Sequence, residues 1–120
     1  MRRVVPLLLV VLLLFSFATA VSANPTPRTD NLYFSPVTQA GNHTLHLDVW
    51  SYYNSSMSVK VYKEGPVGQW TEVYWFGQNL NASTYTSYDL NLGYLTPGNY
   101  KAVVDFSNWA YVENYSFWRP

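Results

Sequence analysis

"YLTPGNYKAVVDF", residues 94–106, decides the fold. Pro97 sets its own φ and Gly98 adopts backbone conformations closed to other residues, so the chain turns sharply here. Leu95 enters the core just before the turn. After it, Tyr100, Ala102, Val104 and Phe106 alternate with Lys101, Val103 and Asp105. That period of two is the pattern of a half-buried β-strand. Tyr100, at the strand's start, is placed to tie the corner with its hydroxyl. The chain contains no cysteine, so the layers joined by this corner must be held by packing rather than by a disulfide.

Outward from the corner, short runs rich in Val, Tyr, Thr, Trp and Phe recur between Gly, Pro, Asn and Ser clusters. The expected strands are Asn31–Val37, His43–Tyr53, Met57–Lys63, Trp70–Phe76, Thr84–Leu90, Tyr100–Phe106 and Tyr111–Trp118. Leu45, Leu47 and Val49 share one face of the second run. Met57, Val59 and Val61 share one face of the third, and Tyr88 and Leu90 are the expected buried residues of the fifth. Both faces of Trp70–Phe76 are aromatic, so periodicity leaves its buried side open. Pro36 cannot donate to a ladder, which makes the first run an edge strand or one that switches sheets. The fold class is all-β: a seven-strand antiparallel two-sheet sandwich.

"LTPGNY", residues 95–100, together with this strand rhythm, resembles the corner of fibronectin type III and related bacterial immunoglobulin-like domains. It departs from fibronectin type III by one residue between Gly98 and Tyr100. The resemblance implies an immunoglobulin-like sandwich with Leu95, Pro97, Gly98 and Tyr100 as the structural corner. It carries no function, because such sandwiches host unrelated activities.

The N-terminus reads as an export signal. Arg2 and Arg3 precede an apolar run over Val4–Ala18, and small residues follow. About 15 apolar residues fall short of the ~20 that span a bilayer. Ala18 and Ala20 fit cleavage after Ala20; Val21 and Ala23 fit cleavage after Ala23, which is favoured because Pro25 and Pro27 then open the mature chain. The expected organisation is a signal peptide over 1–23, an extended leader over 24–30 and a β-sandwich over 31–119. Removing residues 1–23 from 120 leaves 97, enough for one domain. It also removes two of seven basic residues, leaving five against seven acidic ones. That balance offers no electrostatic footprint for nucleic acid or anionic lipid. The expected location is secreted or extracellular, with no stable membrane insertion after signal cleavage and a protein or glycan outside the cell as partner.

Candidate chemistry is sparse. His43 and His46, three apart on a strand, point to opposite faces. His46 shares a face with Asp48, but two ligands do not make a metal centre, so neither metal nor cofactor is expected. No Gly-x-Ser-x-Gly elbow or cysteine nucleophile is present. The carboxylates are scattered, with Asp48 and Glu72 a conceivable glycosidase pair. The chain is therefore expected not to be an enzyme. Asn42, Asn54, Asn81 and Asn114 head Asn-x-Ser/Thr glycosylation sequons, three of them in expected loops or turns. Aromatics out of phase with the core are the candidate binding residues. Trp50 and Tyr52 oppose Leu45, Leu47 and Val49; Tyr62 opposes Val59 and Val61; Trp70 and Tyr74 share a face with Glu72 on strict alternation. A non-catalytic immunoglobulin-like module for adhesion, cell-envelope or matrix contact is the expected function. The alternative is a small carbohydrate-binding module using these surface aromatics.

Overall fold

The computed structural model describes residues 25–119. The expected signal segment and both cleavage positions lie outside the described residues. Seven strands follow one another: β1 (Arg28–Tyr33), β2 (Gly41–Ser51), β3 (Ser55–Glu64), β4 (Trp70–Leu80), β5 (Thr84–Leu95), β6 (Tyr100–Phe106) and β7 (Ala110–Trp118). They form two antiparallel sheets, one ordered β1-β6-β3-β4 and the other β5-β2-β7. The two-sheet antiparallel sandwich read from the sequence is the observed architecture. In the immunoglobulin constant arrangement the first strand lies beside the second, the last beside the sixth, and the fourth beside the fifth. Here the central pairs β2–β5 and β3–β6 keep those places. The terminal strands are interchanged, β1 lying beside β6 and β7 beside β2, and β4 lies beside β3.

The alternating runs do what their period requires. Leu45, Leu47 and Val49 from β2, Met57, Val59 and Val61 from β3, and Tyr100, Ala102, Val104 and Phe106 from β6 are buried between the sheets. Leu32, Leu80, Leu90, Leu92, Leu95 and Ala110 complete the core, with Tyr74, Phe76, Tyr88, Val112 and Phe117 packed at its margins. Each fully buried large side chain stabilises by roughly 1.5–3 kcal/mol, which is how a domain without disulfides holds two sheets together.

Several boundaries differ from the sequence reading, for identifiable reasons. β1 begins at Arg28, inside the expected leader, because Arg28–Tyr33 pairs in register with Phe106–Lys101. It ends at Tyr33 rather than Val37: the chain lifts away at Pro36 and returns as a single bridge between Val37 and Gly98. β4 and β5 run further than expected, to Leu80 and Leu95, leaving a turn of only Asn81–Ser83 between them. Gln78, Asn79 and Asn91 carry no apolar signal yet extend these strands, because a strand on a sandwich edge need bury only one side.

Three ladder irregularities decide which way side chains point. They fall at Val73 in β4, at Leu92 in β5 and at Glu113 in β7, opposite register shifts in their partners. All three are edge strands. A bulge bends an edge and spoils it as a template for pairing with another chain. β1, the fourth edge, has six residues. It is also tied to β7 across the open side of the sandwich. The Asp30 carboxylate accepts the Val112 N–H at 2.8 Å and the Arg28 Nε–H at 2.9 Å, Tyr115 Oη donates to the Tyr33 carbonyl at 3.2 Å, and Phe34 stacks on Phe117 at 4.5 Å. The Val112 N–H sits beside the Glu113 bulge, where regular pairing is interrupted, and the Asp30 carboxylate satisfies it.

The corner is built as the sequence implies. Tyr100 Oη donates to the Thr96 carbonyl at 2.6 Å. Leu95 and Tyr100 are buried while Pro97 is exposed. Gly98 has φ +153°, and a Cβ there would stand 2.8 Å from Lys63 Cε. Its N–H and carbonyl both bond to Val37, at 3.0 and 2.9 Å. Tyr100→Phe, which removes only the hydroxyl, is expected to cost about 0.5–1.5 kcal/mol in urea denaturation. Gly98→Val is expected to cost more, because it adds a collision to an unfavourable φ. A smaller loss for Gly98→Val than for Tyr100→Phe would show that the corner does not depend on glycine.

Candidate functional site

The outer faces of the two sheets carry different chemistry, and the candidate aromatics divide between them. On the three-stranded sheet, Trp50 sits in one cross-strand row with Tyr85 and Tyr111. It meets Tyr52 edge-on at 5.6 Å. Tyr52 in turn stacks on Trp109 at 6.1 Å, and the Arg28 guanidinium lies 5.0 Å from the Trp109 ring centre and 5.8 Å from that of Tyr111. Trp50 is half-buried within this interlocked set. Edge-to-face and cation–π contacts of this kind contribute about 0.5–1.5 kcal/mol each. Trp50 and Tyr52 thus form a packed collar at one end of the sandwich.

Tyr62 stands on the opposite side of the molecule, on the outer face of the four-stranded sheet. Trp70 joins it there: the Lys101 ammonium lies 4.4 Å from the Trp70 ring centre and 5.9 Å from that of Tyr62. Tyr74 does not. The bulge at Val73 shifts the phase of β4, so that Tyr74 pairs with inward-facing Val61 while Glu72 pairs with outward-facing Tyr62. Tyr74 packs against the core, and burial pushes its hydroxyl above the ordinary pKa. The expected sharing of one face by Trp70 and Tyr74 is therefore corrected: one extra residue between them reverses the alternation.

The same bulge presents Trp75, which the sequence reading had not singled out. Trp75 is 61 % exposed. Its indole leans along β4 over Gly77, where a Cβ would stand 2.7 Å from the ring; only glycine leaves room for the ring to lie down. The ring borders an open groove of about 640 Å³ lined by Ser56, Ser58, Gly77, Asn79, Asp105 and Ser107, among others. The groove floor is the outer face of β6, β3 and β4. Thr29 Oγ1 donates to Asp105 at 2.6 Å, and Ser107 Oγ accepts the Ser56 N–H at 2.8 Å, so these polar groups are held in place before any ligand arrives.

A second polar cluster lies on the outer face of the three-stranded sheet. His46 is clamped between two carboxylates, with Nδ1 2.7 Å from Asp89 and Nε2 2.8 Å from Asp48. Ser87 Oγ donates to Asp48 at 2.6 Å. Hydrogen bonds to both ring nitrogens favour the imidazolium, and the Asp89 bond, followed by that to Asp48, raises the His46 pKa. Asp48 is lowered, first by the Ser87 hydroxyl and then by His46. His43 is on the opposite face, as its spacing requires. It is buried rather than exposed, with Nδ1 2.8 Å from the Gly41 carbonyl and its ring stacked on Phe117. Asp48 and Glu72 stand on opposite outer faces and cannot act on one substrate bond. Among the described residues no group of three His, Cys, Asp or Glu is arranged to hold a metal ion.

Asn42, Asn54, Asn81 and Asn114 are all exposed. Asn54 and Asn81 occupy neighbouring turns at one end, joined by the Ala82 N–H donating to Asn54 Oδ1 at 2.9 Å. Asn42 lies in β2 rather than in a loop, and Asn114 in β7. None of the four lies on the outer face of the four-stranded sheet.

No protein-family model matches the chain, and no curated protein matches it. Among solved structures, one titled "Structure of infectious bursal disease virus Gx strain" aligns with 79 % of this chain at 15 % identity and a TM-score of 0.47. The alignment spans about a quarter of that viral chain, 26 %.

The His46 clamp gives a signed pH prediction. A raised folded-state pKa means that its stabilisation is present below the ordinary value of 6.5 and is lost as pH rises through the folded value. The imidazole titration followed by NMR is expected to have its midpoint above 6.5. Asp89→Asn is expected to lower that midpoint, and a midpoint unmoved by this change would remove Asp89 as the main cause.

Proposed function

We propose that the chain is an exported, non-catalytic β-sandwich binding module, immunoglobulin-like in its central strands, that holds a saccharide on the outer face of its four-stranded sheet. The observation that carries this reading is Trp75: a mostly exposed indole beside a groove rimmed by hydroxyls, an amide and a carboxylate. A pyranose has one face of C–H groups that matches an aromatic ring, and its edge carries hydroxyls that need hydrogen-bond partners. Ser56, Ser58, Asn79, Asp105 and Ser107 supply such partners beside the ring. The Trp75 ring takes part in none of the aromatic or cation–π contacts among the described residues. Export rests on the Arg2–Arg3, apolar and small-residue order at the N-terminus. A cell-envelope or matrix polysaccharide is the partner consistent with both features.

The test is retention of the purified mature domain by insoluble polysaccharides (cellulose, chitin, peptidoglycan), with tryptophan emission followed on addition of soluble fragments. Trp75→Ala is expected to abolish retention while leaving the denaturation midpoint unchanged. Trp50→Ala is expected to do the reverse, keeping retention and losing about 1 kcal/mol of stability with its aromatic contacts. Retention that survives Trp75→Ala, or no retention of the parent protein by any polysaccharide, would refute the saccharide site.

A further inference from the structure

The groove beside Trp75 has a direction. Gly77 on β4 stands directly across from Ser58 on β3, and Ser58 directly across from Asp105 on β6. That cross-strand row forms the groove floor and spans two strand spacings, about 10 Å. The six-membered ring of Trp75 lies over Gly77 at one end of the row, where a Cβ would stand 2.7 Å from Cη2 and 2.8 Å from Cζ2. Covering a strand glycine with an aromatic ring is a stabilising device in its own right. It occupies one side of the indole, and Trp75 remains 61 % exposed. At the other end, Asp105 is exposed and spends one carboxylate oxygen on the Thr29 hydroxyl. The rest of the polar lining is serine hydroxyls and the amides of Gln78 and Asn79. Among the described residues, Asp105 is the one charged side chain that lines the groove. Lys60 and Lys101 do not line it, and Lys101 rests on Trp70 and Tyr62. Over the whole face these two lysines are interleaved with Glu64, Glu72 and Asp105, so the face carries no excess of positive charge.

We propose that the ligand of this groove is an uncharged saccharide chain lying across the strands, one ring on Trp75 and the next over Ser58, with Asp105 as the residue that turns acidic chains away. This rests on the saccharide reading above and adds the ligand's direction and charge to it. A neutral sugar hydroxyl can donate to the remaining oxygen of Asp105, and a hydrogen bond to a carboxylate is roughly twice as strong as one between neutral groups. A uronate or sulfated sugar in the same place would set a second negative charge beside Asp105, with no lysine in the groove to offset it, and like charges at short range repel. The phosphates of a nucleic acid meet the same repulsion. The lining ends at β6, so only a short stretch of linked rings is held. Gly77 is the positioning residue: by leaving space beside the strand it lets the Trp75 ring lie down, with its outer side turned to the ligand.

Calorimetric titration tests the proposal with glucose, its β-1,4-linked trimer and hexamer, the N-acetylglucosamine trimer and the glucuronate trimer. The parent protein is expected to bind a neutral trimer at least about tenfold more tightly than the single sugar, the scale of one charge-assisted bond. The hexamer is expected to bind much as the trimer does. Raising salt from about 0.02 M to about 0.5 M is expected to leave neutral binding unchanged, since no charge on the ligand is screened. Asp105→Asn keeps an acceptor and removes the charge, and is expected to bring the glucuronate trimer up toward the affinity of the glucose trimer. Gly77→Ala is expected to lose at least about tenfold in trimer affinity as its methyl displaces the indole, a larger effect than any neutral hydrogen bond lost alone. Its denaturation midpoint is expected to be no lower than the parent's, because glycine is the poorer strand residue. Equal or tighter binding of the glucuronate trimer by the parent would overturn the uncharged ligand and leave the saccharide site standing. Parental affinity in Gly77→Ala, or a hexamer far tighter than the trimer, would overturn the placement across the strands. No binding of either neutral trimer, or trimer binding that survives Trp75→Ala, would overturn the saccharide reading itself.

Discussion

One hydrogen bond, from the Tyr100 hydroxyl to the Thr96 carbonyl, closes the turn where the chain leaves β5 in one sheet and enters β6 in the other. The chain also changes sheet at β1–β2, β2–β3, β4–β5 and β6–β7, and this crossing is the one that delivers β6. β6 is a central strand, paired on one side with β1 and on the other with β3. The corner is braced from both flanks. Gly98 exchanges two backbone bonds with Val37, and the Glu64 N–H donates to the Asn99 carbonyl at 2.9 Å. In a domain with no cysteine, a buried hydroxyl bond and packed aromatics supply the constraint that a cross-sheet disulfide supplies elsewhere.

The edges of the sandwich are where structure and site meet. Bulges in β4, β5 and β7 and the short β1 leave no long regular edge open to another chain. β1 and β7, edge strands of the two sheets, are fastened to each other by Asp30, Tyr115 and the Phe34–Phe117 stack. The bulge at Val73 has a further consequence, because it turns Tyr74 and Phe76 into the core and leaves Trp75 outside. A feature that guards an edge thereby also creates an aromatic platform.

The polar chemistry is segregated by face. His46, Asp48, Asp89 and Ser87 satisfy one another on the three-stranded sheet, and Arg28 is absorbed by Asp30, Trp109 and Tyr111 at its margin. Such mutually satisfied groups hold strands together and offer little to a ligand. On the four-stranded sheet, Lys101 rests on Trp70 and Tyr62, and the groove beside Trp75 is open. Asn42 and Asn114 belong to the three-stranded sheet, and Asn54 and Asn81 lie in turns, each two residues from a residue that lines the groove.

The sequence by itself determined the strand count, the inward residues of β2, β3 and β6, and the corner, because each rests on a local rule: a period of two, a Pro-Gly turn, a tyrosine at a strand start. It also placed Trp50, Tyr52 and Tyr62 out of phase with the core. Only the tertiary structure decided which sheet each strand joined, since the interchange of β1 and β7 leaves every strand's own alternation unchanged. It alone decided that Trp50 and Tyr52 are packed against Trp109, Tyr111 and Arg28, contacts that join residues far apart in the chain. It alone resolved β4, where aromatics on both parities hid the phase and a single unpaired residue, opposite a register shift between Val61 and Tyr62, reversed it. A bulge is fixed by pairing with a neighbouring strand. Strict alternation therefore misplaced Tyr74 and passed over Trp75, the residue on which the proposed site depends.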